Sequence, residues 1–81
     1  MQRVSVKMDD AGHLAAIGAT VRARRQEFGV SQEALAHATG IDRSHMGKIE
    51  RGERNLSILN LIRIADALEI SPSKLLKSAG L

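Results

Sequence analysis

The sequence predicts an all-α fold, a compact bundle of five helices. Apolar residues recur every three to four positions along most of the chain, the period of one helical face. Ser or Asp stands before each such run, and glycine follows the first three, the usual marks of helix starts and stops. The one strand-like alternation, Val4, Val6 and Met8, is short and has no second strand to pair with. Residues 1–10 are accordingly expected to be a flexible N-terminal arm, and residues 11–81 the folded domain.

The first helix is expected from about Asp10, its N-cap, to Phe28, with Gly29 as the stop. Its inward stripe is Leu14, Ile17, Val21 and Phe28, and Arg25 falls on the same stripe. Gly12 and Gly18 weaken this helix by about 1 kcal/mol each relative to Ala. The second helix is capped by Ser31 and runs from Gln32 to about Ala38, with Leu35 and Ala36 inward and Gly40 ending it. Asp42 caps the third, Arg43 to about Arg51, which stops at Gly52. Its inward side carries Met46, Ile49 and, in phase with them, Glu50. Ser57 caps the fourth, with Ile58, Leu61, Ile62, Ala65 and Leu68 as its stripe. Ser71 caps a last short helix with Pro72 at its first position, where proline is favoured, and Leu75 and Leu76 fold it back.

Size and composition narrow the function. Eighty-one residues bury only a modest core, and the absence of cysteine rules out disulfides and a Cys-type zinc site. No apolar run approaches the ~20 residues that span a membrane, and no basic stretch leads into an apolar export signal. A cytoplasmic protein with no membrane association is expected. The net charge is +3 and the isoelectric point about 10, a balance that suits an anionic partner such as nucleic acid. The charge is gathered in two places: Arg22, Arg24 and Arg25, then Arg43, Lys48, Arg51 and Arg54. His13, His37 and His45 lack metal-ligand spacing, and no nucleophile has an evident base partner. Neither an enzyme nor a metal or cofactor site is therefore expected.

The stretch "ATGID" joins the second and third helices in a tight corner. Ala36 is small where the two must cross, Gly40 can turn left-handed, and Ile41 buries directly after it, with Met46 and Ile49 packing back. Together these make a helix-turn-helix. Arg43, Ser44, Gly47 and Lys48 then project away from Met46 and Ile49. A helix of this kind fits the major groove of B-form DNA, where Arg, Ser and Lys can bond base edges, and Gly47 would allow close approach. A merely solvated helix face is the alternative, but it leaves the tight corner unexplained. Arg25 and Glu50 are opposite charges on otherwise apolar stripes. Either they form a partly buried pair tying the first helix to the third, or both reach solvent at the stripe edge.

The segments "SQEALAHATGIDRSHMGKIERGERN" and "SILNLIRIADALEISPSKLL" resemble the phage-repressor-like helix-turn-helix family, often called the Xre or Cro/repressor type. The resemblance spans about Ile17 to Leu76, and "IDRSHMGKIERGERNLSI" is especially similar to the controller proteins of restriction–modification systems. It implies a lambda-repressor-like domain that acts as a sequence-specific transcription regulator, binding double-stranded DNA as a homodimer on a palindromic operator. It further implies that Arg43, Ser44 and Lys48 read bases. Gln32 at the start of the second helix, and Arg51, Arg54 and Asn55 after the third, would touch the DNA backbone, and His45 could also meet phosphate. Arg25 and Glu50 match a helix-linking ion pair. The chain departs from the family in carrying Leu56 where proline is common and Gly47 where a polar side chain is common.

A dimer needs a surface. Leu59, on the far side of the fourth helix, with Ile64, Ile70 and Leu76, is the expected patch. A protein-interaction module of the same fold, an antitoxin or a coactivator with a protein partner, is the competing function. It would favour an uncharged third-helix face or a long interaction tail, and the face here is basic.

Overall fold

The computed structural model describes Asp9 and residues 11–81; the expected arm, Asp9 apart, lies outside the described residues, as does Asp10. Five α-helices follow one another: α1 (His13–Phe28), α2 (Gln32–Thr39), α3 (Arg43–Glu50), α4 (Ile58–Ala67) and α5 (Pro72–Ser78). No strand occurs among the described residues, and no helix there is long and apolar enough to cross a membrane.

The helix starts are built from side chains that satisfy otherwise unbonded N–H groups. Ser31 accepts from the Ala34 N–H at 3.0 Å, Ser57 from Asn60 at 3.1 Å and Ser71 from Lys74 at 3.1 Å. Asp42 accepts from Ser44 at 3.0 Å and His45 at 3.4 Å. The first helix is the exception. It begins at His13, later than expected, because Gly12 turns left-handed (φ 71°) and brings Asp9 over the helix end. Asp9, rather than Asp10, receives the N–H groups of His13 and Leu14, at 2.9 and 2.8 Å. At the other end, α3 stops at Glu50, one residue early, and Arg51 forms its cap.

One core draws on all five helices. Val21, Leu35, Met46, Ile64, Leu68 and Leu75 are its fully enclosed side chains. Removing one such side chain from water is worth about 1.5–3 kcal/mol, so the apolar interior is the main force closing the bundle. Three expected core positions lie elsewhere. Phe28 is 37% exposed, because the chain reverses at Gly29 and Val30 enters the core in its place; the Arg24 guanidinium sits 5.6 Å above the Phe28 ring. On α4 the buried stripe is Leu61, Ile64, Ala65 and Leu68, whereas Ile58 (69% exposed) and Ile62 face outward. That helix is apolar at so many positions that two overlapping stripes exist, and packing against α2 and α5 selects the one centred on Ile64.

Two contacts fix how the helices cross. At Gly18 a β-carbon would collide with the Ile49 carbonyl oxygen and lie 2.6 Å from that of Glu50. The glycine expected only to weaken α1 is what lets α1 reach the end of α3. The corner between α2 and α3 is pinned by Thr39, a buried polar residue. Its hydroxyl donates to the carbonyls of Leu35 (2.9 Å) and Ala36 (3.1 Å) and accepts the Ile41 N–H at 3.3 Å. Gly40 turns left-handed (φ 72°) between them, so Ile41 re-enters the core at once.

Candidate nucleic-acid interface

The third helix is held from beneath by a buried polar network. Arg25 Nε and Nη2 donate to the two carboxylate oxygens of Glu50 at 2.8 and 3.2 Å, and Nη1 donates to the Val30 carbonyl at 3.0 Å. Gln32 Nε2 adds a third donor to Glu50, at 3.0 Å. The Glu50 side chain is 2% exposed and that of Arg25 11%. Two opposite charges this deep persist only when paired and fully bonded, and no buried side-chain N or O lacks a partner among the described residues. Of the two arrangements open from sequence, the pair is the one that forms. It joins α1, α2 and α3 at one point.

Above that network lies the outer side of α3. Arg43 and Ser44 are exposed, and His45 and Lys48 are half-buried. Gly47, expected on this open face, is buried instead. A β-carbon there would lie 3.1 Å from Arg51 Nη1 and 3.4 Å from Gln32 Oε1, so those two side chains close over the glycine. Gly47 thus makes room for its neighbours and is no bare patch of helix. Arg51, Arg54 and Asn55 are exposed in the turn after α3. Gly52 forms that turn with φ 73°, and a β-carbon there would lie 2.6 Å from Ala15 Cα, so both conformation and space require glycine.

The three arginines of α1 do not act together. Arg25 belongs to the Glu50 network. Arg24 turns to the opposite side, where Nε and Nη2 donate to the Leu68 carbonyl at 3.1 and 2.9 Å, Nη2 reaches Glu69 O at 3.4 Å, and Nη1 donates to Glu27 at 2.9 Å. It closes the end of α4, where Glu69 takes a left-handed conformation (φ 55°). Arg22 alone stays exposed beside the third helix, lining a shallow depression with Arg25, Gln32, Glu50 and Arg51. It has no ion-pair partner among the described residues. The sequence marked Arg22 only as one of a cluster; its spacing of three from Arg25 was the available signal.

Arg51 is engaged as well. Its Nε donates to Glu53 Oε2 at 3.0 Å and its Nη2 to Oε1 at 3.3 Å. These hydrogen bonds, and the charge behind them, raise the Arg51 pKa and hold the Glu53 carboxyl below the usual carboxylate range, with Lys48 and Arg54 adding to the field. No group of three or more His, Asp, Glu or Cys side chains that could hold a metal occurs among the described residues.

The expected dimer patch is only partly present. Leu59 is 67% exposed, but Ile64 is completely buried in the core and cannot face a partner. Ile70 and Leu76 are half-buried and pack against that core. The apolar residues that do face outward on α4 are Ile58, Leu59 and Ile62. The cause is the shift of stripe described above: turning Ile64 inward turns Ile58 and Ile62 outward.

A sequence model of the family described as helix-turn-helix matches residues 21–75. Over 61 residues the chain is 44% identical to control protein C.SmaI of Serratia marcescens, covering 75% of this chain and 73% of that one. The crystal structure of the restriction–modification controller protein C.AhdI from Aeromonas hydrophila superposes with a TM-score of 0.75 at 45% identity, over 76% of this chain and 94% of that one. That of the clp gene regulator ClgR from Corynebacterium glutamicum gives 0.82 at 29% identity, over 84% and 87%.

Proposed function

From the premise that this chain belongs to the helix-turn-helix family, with restriction–modification control proteins among its relatives, we propose how it acts as a DNA-binding transcription regulator. Two copies bind a palindromic operator, each with α3 in the major groove, and control the genes of a restriction–modification pair. The observation that supports this best is the division of α3. Glu50, Met46 and Ile49 are locked inside, while Arg43 and Ser44 stand free at the helix start, the end that reaches base edges.

Arg43 can bond guanine through two N–H groups, Ser44 can bond several bases, and Lys48 reaches guanine or phosphate. Gln32, His45, Arg51, Arg54 and Asn55 would meet the sugar–phosphate backbone in this reading, joined by Arg22 of α1, which lines one depression with Gln32 and Arg51. One α3 spans few base pairs, so two half-sites about one helical turn (~34 Å) apart supply specificity. The exposed trio Ile58, Leu59 and Ile62 is the surface offered to a second copy.

Selecting bound sequences from random duplexes would yield a symmetric motif. Arg43→Ala is then expected to relax one motif position by about 1–3 kcal/mol. Arg54→Ala should weaken every sequence similarly and flatten the salt dependence. If Arg43→Ala weakens random duplex as much as the selected one, the division of roles is wrong. In sedimentation, Leu59→Glu should yield monomers, and an unchanged dimer would remove that face from the interface.

A further inference from the structure

The Arg51–Glu53 pair has no evident structural duty. Its side chains are 57% and 54% exposed, and they sit only two residues apart. Such a pair adds little to stability, since water screens it and both chains must be held still. It is nonetheless well placed. The Gly52 N–H donates to the Ile49 carbonyl at 3.0 Å and the Glu53 N–H to that of Lys48 at 2.8 Å. Together they fix the Glu53 backbone at the end of α3. The carboxylate therefore projects from a rigid helix cap, in a turn otherwise occupied by Arg51 and Arg54.

The carboxylate meets Arg51 in the two-pronged manner that a DNA phosphate would. Arg51 in turn lies over Gly47, on the rim of the depression that Arg22 and Gln32 also line. We propose that Glu53 is an internal stand-in for phosphate. It occupies Arg51 in the free protein, must yield it when a duplex arrives, and then lies as a negative charge beside the backbone. Glu53 is thus a built-in brake on DNA affinity. Because the exchange concerns phosphate alone, it weakens all sequences by a similar factor and leaves the discrimination among bases to Arg43, Ser44 and Lys48. The inference rests on the DNA-binding reading and deepens it.

The test compares wild type with Glu53→Gln on a duplex of arbitrary sequence and on the selected operator, titrating salt. Glu53→Gln should tighten both duplexes about two- to fivefold at low salt, in keeping with the modest strength of exposed pairs. The salt slope should steepen by up to ~0.9, the equivalent of one more counterion released. In an Arg51→Gln background the gain should fall by half or more, since the group being released is gone. Glu69→Gln, the same charge change at the far corner of the fold, should give no comparable gain. A Glu53→Gln variant that binds no tighter overturns the proposal, as does a gain that is undiminished without Arg51 or matched by Glu69→Gln. A wild-type protein that binds no duplex at all would instead overturn the proposed function itself.

Discussion

Arg24 and Arg25 are neighbours in the chain, yet they serve two joints built on different principles. Arg25 ties α1 to α3 through a buried carboxylate, with Gln32 and the Val30 carbonyl completing the set. Arg24 ties α1 to the end of α4 from the surface, over an interior that is wholly apolar: Ile64, Leu68 and Leu75. Charged hydrogen bonds fix distance and rotation together. Apolar burial rewards area and tolerates small rotations and changes of shape. The helix expected to enter the groove is thus held by the directional joint, and the α4–α5 end by the permissive one.

The contrast would be tested most strongly at Glu50. Glu50→Ala leaves Arg25 charged and nearly enclosed, and a loss of about 3–5 kcal/mol is expected in urea unfolding. Ile64→Leu, at the centre of the apolar joint, should lose under ~1.5 kcal/mol because volume is kept. If the second variant unfolds more readily than the first, the two joints do not differ as described. Thr39→Val probes the corner beside the directional joint. The shape is kept while the Ile41 N–H loses one of its two acceptors and retains the Ala36 carbonyl at 3.1 Å, so about 0.5–1.5 kcal/mol should be lost. The smallest effect is expected at Glu69, whose left-handed backbone is unfavourable for any residue with a β-carbon. Glu69→Gly should raise stability by no more than ~1 kcal/mol, read as a small increase in the denaturation midpoint.

The helices were legible from their ends. Ser31, Asp42, Ser57 and Ser71 act locally, on N–H groups two or three residues ahead, so sequence spacing is enough to find them. The charged pair at the α1–α3 joint was legible as an option for a related reason: a charge on an apolar stripe needs a partner, and Arg25 and Glu50 were the two that offered. The phase of α4 was not legible. With Ile58, Leu59, Leu61, Ile62 and Ile64 all apolar, only the neighbouring helices decide which are enclosed. Arg24 was equally opaque, since its partner is a main-chain carbonyl 44 residues away and carbonyls leave no mark in a sequence. Gly18 and Gly47 were misjudged because what matters at each is the absence of a side chain beside something distant.

Gly18 bears on any attempt to retarget the protein. With the backbones of α1 and α3 this close, the angle of the third helix is settled by the interior, and surface changes have no leverage over it. Arg43 and Ser44 carry no packing duty and can be exchanged without disturbing the frame. New preferences should therefore be sought by swapping those tips rather than by re-aiming the rod that carries them.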